Sequence, residues 1–188
     1  MKNKEQLLLA LQELKVDNRK KQKRGLHFII ASVVLWIAIL VIHASSLPIL
    51  TKNLYTFFCS APLVPLAYII SKLIRVDFQN RDNPLSNLGV LFAVNQILYI
   101  LIAMWVYASV PDKMLMVYAM IFGAHLLPYG WLYHSKTYYV LSVIVPIAVL
   151  ILGLYCSSAI VATFMLIIEF VFCCCLIIEN KVEQHEAN

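Results

Sequence analysis

A chain of 188 residues that is 62% hydrophobic and only 13% charged, with a mean hydropathy of +0.81, is too apolar for a soluble domain, which carries about 25% charged residues. Its charges are clustered, and the formal net charge of +5 gathers on one side of long uncharged stretches. One membrane bundle fits this length; a multidomain soluble enzyme or a nucleic-acid-binding domain does not.

In chain order, EQLLLALQELKV comes first, with leucines at near-helical spacing and Glu5, Gln12 and Glu13 elsewhere around the wheel. It predicts an amphipathic helix over residues 3–22, lying on the inner leaflet or against the bundle. The basic run RKKQKR follows, and Arg19, Lys20, Lys21, Lys23 and Arg24 read as an anchor on anionic lipid. A helix needs roughly 20 apolar residues to span a membrane. Six segments qualify: Leu26–Ala44, Leu54–Ile70, Leu88–Val110, Met114–Tyr133, Tyr138–Cys156 and Ala159–Ile178. The first follows a leader of about 25 residues and is long enough to cross, so it reads as a span rather than a cleaved signal peptide. None alternates as a barrel strand does. The expected fold is therefore all-α, a six-transmembrane-helix bundle with an N-terminal interfacial helix.

With the N-terminus inside, thirteen of the fifteen Lys and Arg fall on the cytoplasmic side, leaving Lys52 and Lys113 outside. Both termini are then cytoplasmic and the protein is a multi-pass protein of the plasma membrane. Residues 1–24 form the basic helix, 25–179 the bundle and 180–188 a cytoplasmic tail. The longest connection, Ser71–Asn87, mixes both charge signs and carries the turn-forming run RDNPLSN.

The runs VDNRKKQKRGLHFIIASVV, GVLFAVNQ and MIFGAHLLPYGWLY together resemble a family of small bacterial membrane proteins of unknown function, over nearly the whole chain. The resemblance implies a bacterial plasma membrane and six spans, and no activity to carry over. Size and helix number are also similar to the substrate-binding components of energy-coupling-factor vitamin transporters, but FIIASVVLWIAIL lacks their small-residue docking motif.

Ionisable and amide groups inside spans are costly and point to function. Counted from the cytoplasmic end of each span, Asn95 and Pro65 lie about 10 Å deep, and Pro146, His125 and Glu169 about 12–13 Å. Five of six spans thus place a polar or helix-breaking feature in one layer. Ser158, Ala162 and Glu169 share a face of the last span, which turns Glu169 into the bundle. On the third span Gly89, Ala93 and Gln96 share a face, with Asn95 about 100° away beside Tyr99. Tyr129, four residues after His125, continues a hydrogen-bonding line toward the cytoplasm, and Pro128 adds a third kink site to Pro65 and Pro146. His125 is the only basic group within the spans able to pair with Glu169.

The thiols of Cys173–Cys175 sweep about 200° around one helix, so they cannot converge on a metal. Cys59 and Cys156 lie toward the outer ends of their spans. No nucleotide loop, nucleophile elbow or metal-binding pattern occurs, so neither enzyme activity nor a cofactor is expected. The expected function is transport or channel-type passage of a cation, proton or small solute through the layer around Glu169 and His125. The alternative is a non-transporting sensor, immunity protein or subunit of a larger membrane complex. Expected partners are the lipid bilayer and a second copy or complex subunit, with no nucleic acid.

Overall fold

The computed structural model describes residues 2–186, which are 87% helical and contain no strand. The first helix, α1 (Lys2–Lys21), carries Glu5 in its first turn and Arg19, Lys20 and Lys21 in its last, the charge order favoured by the helix dipole. Beyond it Lys23, Arg24 and Gly25 all take positive φ, at 45°, 55° and 71°. Only glycine enters that region freely, so the two basic residues must be held by their surroundings. Tyr138 Oη donates to the Arg24 carbonyl at 2.8 Å and Asn180 Nδ2 to the Lys23 carbonyl at 3.1 Å.

From this left-handed turn the chain enters α2 (Leu26–Ala44), then α3 (Ile49–Ser60) and α4 (Leu63–Leu73), which meet at 43°. The next span is α5 (Leu85–Ser109), followed by a one-turn segment at Pro111–Lys113. The remaining helices are α6 (Met114–Ala124), α7 (Leu126–Tyr133), α8 (Lys136–Tyr155) and α9 (Ser158–Glu186). Two interruptions share one cause. A proline ring clashes with the carbonyl four residues back and offers it no N–H; four residues before Pro65 and Pro128 lie Ala61 and Ala124, where α3 and α6 stop. Pro146 sits inside an uninterrupted α8. Arg75 and His134 close α4 and α7 in left-handed conformations, with Val76 N bonded to Ser71 O and Ser135 N to Gly130 O. Ser135 then caps α8, accepting from Tyr138 N.

Five helices are long and apolar enough to cross a membrane, or six if the bent α3–α4 pair is one span. α9 continues past residue 179, where the apolar bundle was expected to end, to Glu186, while Met1, Ala187 and Asn188 lie outside the described residues. α2 packs along α9 and α6 along α8, around a core that includes Trp36, Ile39, Phe122, Val145, Met165 and Phe172. α6 and α8 approach closely at two glycines. A Cβ on Gly123 would lie 2.8 Å from Pro146 Cδ and Val145 Cγ1, and one on Gly153 2.6 Å from Met116 Cβ.

α1 is fixed to the rest by polar contacts, with Leu7, Leu8 and Leu9 left exposed. Lys15 Nζ stands 3.3 Å over the Trp131 ring, and Ser86 Oγ donates to Asn18 Oδ1. Asp17 accepts from Asn80 at 2.6 Å and from Asn83 at 2.9 Å, and pairs with Lys21 at 3.1 Å. These bonds stitch α1 to the Ser71–Asn87 connection.

Two expectations follow. Gly123→Ala should destabilise the bundle by about 1–3 kcal/mol, because neither Pro146 nor the β-branched Val145 can move aside. Gly89→Ala meets only the tip of Leu132, at 3.3 Å, and should be neutral or stabilising. Denaturant titration in micelles distinguishes the two; equal effects would refute the close contact. The second concerns Asp17, whose carboxyl is held below the usual range by the bonds from Asn83 and Asn80. A lowered folded value means this contribution is complete above the ordinary value of about 3.9 and is lost as pH falls through the folded one. Asp17→Ala should therefore speed amide exchange of α1 at pH 7, and the difference from wild type should shrink at a pH well below the ordinary carboxyl range. A difference that is the same at both pH values would contradict it.

Candidate functional site

Glu169 on α9 is fully buried, at 0% exposure, facing α2. Its Oε2 is hydrogen-bonded to Ser32 Oγ, and Oε1 has no partner. Ser32 Oγ also lies 2.9 Å from the Ile29 carbonyl of its own helix. A hydroxyl has one proton to donate. Ser32 therefore divides its one proton between the Glu169 carboxyl and the Ile29 carbonyl, and its hydroxyl is the one hydrogen-bond partner of Glu169 among the described residues.

On its far side Ser32 borders a cavity of about 30 Å³, lined also by Trp36, Ser60, Gln96, Tyr118 and Phe122. Ser60 is the last residue of α3, at the break before α4, and accepts a 2.6 Å hydrogen bond from Tyr118 Oη on α6. The Ser60 hydroxyl also donates to the Thr56 carbonyl of its own helix at 2.7 Å. Four polar side chains from α2, α3, α5 and α6 thus meet at one small void, with Glu169 behind the first of them. A void of this size holds about one water, and each of the four can bond it.

The predicted residues separate into three groups. Gln96 lines the cavity and Glu169 adjoins it through Ser32. His125 and Tyr129 come together elsewhere, their rings edge-on with centroids 5.8 Å apart. Tyr129 Oη donates to the Gly89 carbonyl at 2.9 Å. The expected Glu169–His125 pair does not form. His125 sits at the α6–α7 interruption, where its Nδ1 folds back to within 2.5 Å of the Phe122 carbonyl, and α9 packs far more on α2 than on α6. Asn95 and Tyr99 make up the third group, exposed on the outside of α5.

The basic anchor divides as well. Lys20 is exposed and Lys23 Nζ donates to the Ile74 carbonyl at 3.2 Å. Arg19 and Arg24 turn inward rather than toward lipid, drawn by two carboxylates one turn apart on α9. Arg24 pairs with Glu179 at 3.2 Å and Glu183 at 2.9 Å, and Arg19 with Glu183. Ser135 and Thr137 complete the shell of Glu179, at 2.7 and 2.6 Å. Among the described residues all five cysteines are free, Cys59 and Cys156 included, and no three His, Cys, Asp or Glu side chains are placed to hold a metal.

Ser32, Ser60, Tyr118, Glu179 and Glu183 are functional candidates that sequence reasoning passed over. The one available signal was the i, i+4 acid pair Glu179 and Glu183 downstream of the last span, opposite in sign to RKKQKR. No curated protein and no solved structure matches the chain. A family model does, across residues 11–179, and the chain accordingly belongs to DUF7010, a family of unknown function.

Proposed function

We propose that this is a small integral protein of the bacterial plasma membrane, crossing it six times with both termini cytoplasmic and α1 at the inner surface. Its activity is transport- or channel-type movement of protons or a small cation through the Glu169 layer. One observation carries this reading: a fully buried carboxyl bonded to Ser32, whose hydroxyl opens on a polar void at a broken helix. Interrupted spans that face a polar site are a recurring device of transporters. An isolated carboxylate in such a place is expensive, whereas a neutral acid gives up and regains a proton through the hydroxyl it already touches. A void of about 30 Å³ admits a proton, a water or a bare ion and excludes an organic solute in this conformation.

The second reading is a sensor or a subunit of a larger membrane complex. It is favoured by the polar docking of α1 onto the Ser71–Asn87 connection, which makes one structured cytoplasmic face.

Reconstitution into vesicles with a trapped pH-sensitive dye separates the two. Under an imposed potassium diffusion potential, wild-type protein should acidify or alkalinise the lumen faster than empty vesicles. Glu169→Gln, which keeps size and most hydrogen bonding, should melt like wild type yet lose flux at least about tenfold. Proton and cation flux no greater than in empty vesicles would remove the transport reading and leave the subunit one.

A further inference from the structure

α5 is the least covered of the spanning helices. Only 11% of its most apolar stretch is buried, against 33–50% in the other four single spans, and its buried residues are Ser86, Ala103 and Val106. Its uncovered side carries Leu91, Asn95, Leu98, Ile102 and Trp105, at steps of four, three, four and three residues. The four apolar members are 50–66% exposed, and Asn95 among them is exposed too. This is the heptad seam along which two helices pack knobs into holes.

Spacing alone would not distinguish the seam from a lipid-facing stripe. Ile144, Ile147 and Ile151 on α8 have the same spacing and are also exposed, with no polar residue among them. The carboxamide makes the difference. Among the described residues, side-chain hydrogen bonds reach α5 at Leu85, Ser86 and Gly89, and none reaches Asn95. Thr163, an exposed polar residue of α9, is by contrast satisfied by the Ala159 carbonyl of its own helix. In hydrocarbon an amide donor and acceptor left without partners cost several kcal/mol.

We infer that a second copy of this chain covers this face, with α5 against α5 and Asn95 against Asn95. Two copies inserted in the same orientation run their α5 helices parallel about an axis along the membrane normal. Equivalent residues then meet at the same depth. A carboxamide is self-complementary, donating through Nδ2 and accepting through Oδ1, so two Asn95 side chains satisfy each other. One asparagine in an apolar heptad seam fixes register and favours a pair, which is the symmetry such an interface requires. The inference stands apart from the transport reading, because it uses no residue of the cavity.

The test uses the full chain in vesicles of defined phospholipid. Energy transfer between copies labelled at the C-terminus, followed over a range of protein-to-lipid ratios, gives the association constant. Asn95→Leu, which keeps the helix and the apolar contact, should lower it about three- to thirty-fold; Ile147→Leu on α8 should leave it unchanged. A photo-crosslinking residue placed at each position from 91 to 105 in turn should give dimers that peak at 91, 95, 98, 102 and 105. An association constant unaffected by Asn95→Leu, crosslinks only to lipid, or a peak on another face would each overturn the proposal.

Discussion

The register of α2 against α9 decides what the rest of the structure can do, and a buried ionic clamp sets it. Arg24, at the entry to α2, reaches Glu179 and Glu183 near the end of α9, so the two helices run antiparallel. Eight residues up α2 from Arg24 stands Ser32; ten residues down α9 from Glu179 stands Glu169. At 1.5 Å per residue these distances are about 12 and 15 Å, and the two side chains meet. A buried pair adds little net stability over a well-packed apolar substitute, but removing one partner strands the other charge, and fixing register is the best-attested use of such groups. Three consecutive left-handed residues fit the same logic. That backbone is costly for Lys23 and Arg24, and it persists because Tyr138, Asn180 and the two glutamates hold it from outside.

The α6–α8 contact plays the complementary part. Gly123 and Gly153 let these helices approach to the limit of side-chain contact along one wall of the bundle. Against it α3 and α4 are bent, and the bend is where Ser60 can face Tyr118. The void lies beside Ser60, the last residue of α3 before the bend.

The long helices were legible as long apolar runs, of which five are long and apolar enough to cross a membrane, or six with the bent α3–α4 pair. Leu26–Ala44 coincides with α2 at both ends. The kinks were legible as prolines, although the interruption belongs to the carbonyl four residues upstream. Glu169 stood out as a lone acid, but its partner did not. A serine in an apolar helix bonds its own carbonyls and leaves no pattern, so Ser32 carried no signal and His125 was the only visible candidate. The face shared with Ala162 turned Glu169 into the bundle, as found, whereas counting depth says nothing about direction. His125, Gln96 and Asn95 share a layer, yet they point to a helix interruption, the cavity and the outside respectively. Glu179 was placed at the last position of the bundle and Glu183 in the tail because hydropathy ends there, although the helix does not.

Neighbouring residues on a helix point about 100° apart, and on α5 that rotation separates Gln96, which lines the cavity, from Asn95, which faces outward. α5 is held from within by Ser86, Ala103 and Val106, by Leu85 and Phe92 against the core, and by hydrogen bonds at Leu85, Ser86 and Gly89. Gln96 brings α5 to Ser32, Ser60 and Tyr118 at the void, while the pairing inferred from Asn95 uses the face one residue step, about 100°, away. One helix thus serves a polar cavity with one side chain and carries its least covered surface at the next, which is why counting depth alone placed the two amides together.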